Sequence, residues 1–185
     1  MWQAWSQEAR VDDGAHARLR TATRAAHDVV DAAFARFDLH ARDGLAGFLG
    51  AHHAALAPLW PAWRRFVEEE LRLAAPDYPA MLAADLAELE VPPPAPVAAP
   101  DGIGDAAVGY VVTGSRLGLA TLARQGFWGQ TQGLAGRYLQ DDRGRAVWAG
   151  LRDWLGDQPA ATGDVLAADA MRVFTVFAQA ARQAG

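Results

Sequence analysis

Arg20, Arg24 and His27 stand at i, i+4 and i+7 within LRTATRAAHDVVD, residues 19–31. On a helix that spacing lines all three along one stripe. The stripe borders Thr23, Val30 and Phe34, which predicts His27 at a pocket wall and not in open water. Two readings of the stripe stand side by side. The plain one is a half-buried histidine hydrogen-bonded to a neighbour, beside two solvated arginines. The chemical one is an imidazole ligand to a metal whose carrier also bears anionic groups, since neutral imidazole is the commonest metal ligand and guanidinium forks match carboxylates.

A second feature is GYVVTGSRLGLATLARQ, residues 109–125, where Gly114 and Gly118 lie one turn apart on one face of a helix. Each glycine costs about 1 kcal/mol against alanine in a helix interior, so something must offset it. A helix bared of side chains lets its backbone approach a flat partner closely, or lets another helix pack tightly, and the spacing alone serves either. Taken together, the two features describe a cavity with an imidazole and two arginines on one wall and bare helix backbone on the other. A planar, apolar, metal-bearing dianion such as heme suits that description, with a proximal histidine on the iron.

The elements that must position these residues read as helices throughout. The chain has a single isoleucine and is dominated by Ala, Leu, Arg and Glu, so strand signals are poor and an all-α fold is expected. Helix 1 is predicted over 15–38, with Leu19, Ala22, Ala26, Val29, Ala33, Phe34 and Phe37 inward. A second long helix, capped by Asp43, would bury Leu45, Phe48, Leu49, His52, Leu56, Leu59, Trp63 and Phe66, with Pro58 and Pro61 bending it. A shorter helix is predicted over 79–89. The proline-rich run 91–100, VPPPAPVAAP, then ends it and makes a stiff surface connector. A fourth helix is predicted over 105–125, followed by a glycine-rich loop, short helices near 133–140 and 145–155, and a last helix over 164–182 with Val165, Leu166, Ala170, Val173, Phe174 and Phe177 inward. That makes about seven helices.

Length and composition bound the chemistry further. The chain has 185 residues, 51% of them hydrophobic, which suits one domain over 15–185 with an N-terminal extension over 1–14. There is no cysteine, which removes disulfides, thiolate metal sites and cysteine nucleophiles together. All 17 basic residues are arginine, against 22 acidic ones, and a net charge of −5 argues against a nucleic-acid surface. The start of the chain lacks a basic region followed by an apolar one, and no run of 18 uninterrupted apolar residues occurs. The expectation is a cytoplasmic protein without a membrane span.

LRTATRAAHDVVD, together with the GSRLG of 114–118 in the run beginning at Tyr110, resembles the biliverdin-forming heme oxygenases, closest to the bacterial branch associated with bacteriophytochromes. The likeness in helix order and length spans about residues 15–183, and these two stretches are its specific part. The resemblance implies a single-domain helical bundle with heme sandwiched between helix 1 and a glycine-containing distal helix. It places His27 as the iron ligand, Arg20 and Arg24 at the heme propionates, and Gly114, Ser115 and Gly118 on the distal side. It further implies heme as both substrate and cofactor, O2, an external reductant such as a ferredoxin or flavin reductase, and a bacteriophytochrome as a user of the biliverdin. Three positions depart from the family pattern. Leu119 stands where a second glycine is common and is expected to reach the rim of the distal pocket, Thr113 stands where the bacterial branch often has Glu, and Ser115 stands where other branches have an aspartate that organises distal water.

Other chemistries that the resemblance associates with such a fold fit less well. Thiamine degradation uses a cysteine, and a di-iron site wants Glu-x-x-His pairs, for which only Asp13 before His16 has the carboxylate spacing. The serious competitor is a noncatalytic heme-binding sensor or carrier, and Leu119 is the feature that favours it.

Overall fold

The computed structural model describes residues 14–184, and every regular element among them is helical. There are eight α-helices: α1 (Ala15–Phe34), α2 (Arg42–Arg65), α3 (Tyr78–Glu88), α4 (Asp105–Gln125), α5 (Trp128–Gln132), α6 (Arg137–Gln140), α7 (Gly144–Gly156) and α8 (Ala161–Gln183). The eighth comes from the glycine-rich loop, which winds one short helix, α5, before Gly133 turns it at a φ of 72°. Asp13 and the rest of the N-terminal extension up to residue 13 lie outside the described residues.

α2 buries its expected stripe in full, from Leu45 to Trp63, and runs unbroken through Pro58 and Pro61. Its cap is Ala41 rather than Asp43, which sits in the first turn where a carboxylate meets the positive end of the helix dipole. Beyond Arg65 the helix widens into a π turn, Phe66–Glu70, that carries Phe66 into the core. α4 begins and ends where expected. Gly126 stops it with φ at 91°, a conformation that side-chain-bearing residues rarely adopt. By length and composition α4 could cross a membrane, but most of it is buried among other helices, as befits the core helix of a bundle.

Two inward faces differ from expectation. On α1, Ala22 and Val29 face solvent, Val29 at 54% exposure, while Ala15, Leu19 and Thr23 are buried. On α8, Val165 is 74% exposed, and Gly163, Ala167, Ala170 and Val173 make the inward stripe. The cause is close packing of α1 against α8 at their N-terminal ends. A side chain on Gly163 would collide with the carbonyl of Ala15, so the contact is made by the smallest residues and turns the branched ones outward.

α3 and the first turn of α6 are tied by Asp85, which is wholly buried. Its carboxylate accepts the backbone N–H groups of Arg137 (3.0 Å) and Tyr138 (2.9 Å) and faces the Arg137 guanidinium at 3.3 Å. Glu88 takes the other side of the same guanidinium at 2.7 Å. These bonds fix Tyr138, which packs behind His52, a residue of the cleft described next.

Candidate functional site

α1 and α4 both pack on α8 but scarcely touch each other, and between them lies a cleft of about 950 Å3. That is near the upper end of the range for small-molecule sites. The two walls meet at Thr23 and Tyr110, whose hydroxyls are 3.5 Å apart, while Thr23 also donates to the Leu19 carbonyl at 2.8 Å. Burial pushes the Tyr110 phenol above its ordinary pKa, so it stays protonated.

The α1 wall carries Arg20, Arg24 and His27, as the spacing predicts. Both arginines are exposed at the rim, and His27 is three-quarters covered. Its Nδ1 lies 3.4 Å from a carboxylate oxygen of Asp31, one turn on, and its ring meets the edge of Phe174 from α8 with centroids 5.8 Å apart. A carboxylate beside one ring nitrogen helps to orient the imidazole, as carboxylates do for metal-bound histidines. Burial raises the Asp31 pKa and the imidazole opposes that rise. Asp28 adds a second carboxylate nearby, so acidic and basic side chains alternate along this rim.

On the facing wall Gly114 and Ser115 line the cleft, with Tyr110, Val111 and Leu122 from the same helix. Gly114 presents bare backbone. The Ser115 hydroxyl donates to the Val112 carbonyl at 2.8 Å, so its oxygen keeps acceptor capacity toward the cleft. Gly118 is buried outside the lining. Leu119 does not reach the rim: it is fully buried in the core, on the same stripe as Val108, Val112 and Arg116. An isobutyl group three and seven residues from buried neighbours follows them away from water. Thr113 also faces the core, where its hydroxyl accepts the Trp63 indole N–H at 3.1 Å.

The structure adds a residue that the sequence reading left as a core position. His52 of α2 lines the cleft, is 5% exposed, and is surrounded by Phe34, Phe48, Tyr138 and Phe177, with ring centroids 4.3 to 6.1 Å away. Its Nδ1 pairs with the Phe48 carbonyl at 2.9 Å, which puts the proton on Nδ1 and the lone pair on Nε2. Burial, aided by the charge of Arg116, pushes its pKa down to about 3. The cleft therefore holds a second, neutral imidazole. The signal for it was only the interruption of an apolar stripe by a titratable residue.

Arg116 is the one cation buried in this core among the described residues. Its guanidinium lies between the rings of Tyr78 (4.5 Å) and Tyr138 (4.6 Å) and donates to the carbonyls of Tyr138 and Asp141. Stacking on two aromatic faces offsets part of the desolvation.

No protein family, curated protein or solved structure matches this chain.

Proposed function

We propose that the chain is a heme oxygenase that opens heme to biliverdin. The observation that carries the reading is the α1–α4 cleft itself, with an imidazole oriented by a carboxylate and two arginines on one wall and the bare backbone of Gly114 on the other. The donor set suits heme: His27 would offer an imidazole nitrogen to iron, and Arg20 and Arg24 stand at the solvent edge, where carboxylate groups of a bound ring would be. Phe34, Phe174, Phe177, Val30 and Leu122 supply apolar surface for the ring faces.

Bound heme supplies the iron at which O2 and electrons from an external donor act, with biliverdin, carbon monoxide and iron as products. The protein's part is to bind, orient and exclude. His27 would hold the iron, and Asp31, 3.4 Å from its Nδ1, would keep the ring oriented. Arg20 and Arg24 select the ring's orientation. Gly114 would leave room for a flat ring on the facing wall, where Ser115 keeps an acceptor oxygen, and His52 adds a neutral imidazole elsewhere in the lining. The aromatic lining limits water, which protects the reaction from wasteful proton delivery. A ferredoxin or flavin reductase would serve as electron donor, and a bacteriophytochrome would use the bilin.

Leu119 gives no support to the sensor or carrier reading, because it lies in the core and does not crowd the cleft. The test has two stages. Ferric heme added to the protein should bind one to one with a shifted Soret band that His27→Ala abolishes or moves. Adding a reductant and air in the presence of catalase should then yield biliverdin and carbon monoxide. Heme binding with stable cycling between ferric, ferrous and oxygenated spectra, and no carbon monoxide, would establish a carrier instead. No change in the Soret region would end the heme reading altogether.

A further inference from the structure

The wall of the cleft is held from behind. Asp105, Gly109 and Thr113 stand at i, i+4 and i+8 on α4 and form one stripe, and each meets a residue from the end of α2 or the π turn after it. Asp105 takes both nitrogens of a fork from Arg65, at 2.8 and 2.9 Å. Gly109 accommodates the Phe66 ring, which would collide with any Cβ there. Thr113 accepts the Trp63 indole N–H at 3.1 Å, both residues being fully excluded from water.

The next stripe of the same helix, one residue on, carries Tyr110 and Gly114 into the cleft. Helical residues one apart differ by about 100° in direction, so any rotation of the docked stripe turns the cleft wall by the same angle. Of the three contacts, only the Trp63–Thr113 bond is directional, buried and adjacent to Gly114. The Arg65–Asp105 fork is exposed and adds little rigidity, and the Phe66–Gly109 contact fixes distance rather than rotation. A buried indole N–H requires a partner, which makes the bond costly to leave unmade. Trp63 itself packs against Trp60 and Tyr78, with ring centroids 5.0 Å from each, and those two rings also touch at 6.5 Å.

We propose that Trp63 and Thr113 are positioning residues that set the rotation of α4 and so determine how a flat ligand lies against the Gly114 backbone. The proposal rests on the heme reading for the identity of the ligand, and on the geometry alone for the rotation. In the enzyme it makes this pair a determinant of which ring carbon is attacked.

The test compares Thr113→Val, which keeps the shape and removes the acceptor, with Thr113→Ser, which keeps the acceptor. The first measurement uses the ligand-free protein: the amide resonances of Leu122 and Gln125, cleft residues of α4 more than two turns from the substitution. They should move in Thr113→Val and stay at wild-type positions in Thr113→Ser. The second uses ferric heme and a reductant. Thr113→Val should change the proportion of biliverdin isomers by about threefold or more, an energetic difference well within what one lost buried hydrogen bond supplies, and Thr113→Ser should restore it. Thermal melts show whether both variants remain folded, and Trp63→Phe provides the same deletion from the other side. Unmoved resonances in Thr113→Val, or equal shifts in both variants, overturn the rotation. Shifted resonances with an unchanged isomer ratio overturn the specificity role. A wild type that fails to bind heme overturns the heme reading and with it the role in ring opening, while the resonances still decide the rotation.

Discussion

His52 makes the stability of the protein depend on pH in a calculable way. The imidazole is enclosed by aromatic rings and its pKa is pushed down to about 3, whereas in the unfolded chain it has its ordinary value of 6.5. As pH falls below the unfolded value, the unfolded chain takes up a proton and the folded one does not. Stability from this site is thus fully present above the unfolded pKa and is lost as pH falls toward the folded one. One pKa unit corresponds to 1.36 kcal/mol. Between pH 7 and pH 5 the loss is therefore about 2 kcal/mol, of which nearly all comes from protonation of the unfolded state. For a chain of this length that is a fall of about 4 to 8 °C in Tm. Asp31 also titrates and carries the opposite sign, since its raised pKa favours folding as pH falls. The comparison must therefore be made against a variant. His52→Phe fits the aromatic cage and loses only the Nδ1 bond to Phe48, a cost of about 1 kcal/mol that does not change with pH. Urea unfolding of both proteins at pH 7 and pH 5 gives the double difference directly. The variant should lose about 2 kcal/mol less than the wild type on acidification. Parallel losses in the two proteins would mean that His52 is accessible to protons in the fold, and the account of a neutral imidazole in the cleft would be wrong.

Three further outcomes follow from the geometry. Replacing Arg20 and Arg24 together with Gln should weaken ferric heme binding or disorder the ring orientation while leaving the melting curve nearly unchanged, because both side chains are exposed at the rim; a titration with wild-type affinity and an unchanged bilin isomer pattern would remove them from the site. Leu119→Gly should cost about 3 to 6 kcal/mol, the sum of a core leucine deletion and a helix glycine, with little effect on heme affinity of the folded protein, and a urea midpoint close to wild type would contradict its burial. Asp85→Ala strips the acceptor from two backbone N–H groups, that of Tyr138 buried and that of Arg137 partly so, and should destabilise by about 2 to 4 kcal/mol, with Asp85→Asn recovering part of the loss in the same unfolding assay.

Much of the site was legible because it is local. His27, Arg20 and Arg24 reach the same wall by helical spacing alone, and Gly114 and Ser115 face them from a helix whose limits, 105 and 125, are marked by an acidic first turn and a terminal glycine. The α2 stripe was equally legible, since seven large apolar or aromatic-packed residues at one spacing leave a single choice of inward face.

What the sequence left open turned on alanine and on partners distant in the chain. α1 and α8 are rich in alanine, which is tolerated inside and outside alike, so the pattern on α1 admits more than one inward face. Only the close contact at Ala15 and Gly163 decides it, and that decision sends Val29 and Val165 to solvent. His52 became a cleft residue through Phe34 and Phe177, from two other helices, and Leu119 became a core residue through its neighbours on α4. The sequence by itself determined that the chain is helical and which residues share a stripe on each helix, because periodicity is a property of neighbours along the chain. Tertiary structure decided which stripe faces the cleft and which the core, because burial is settled by helices that the local pattern does not encode.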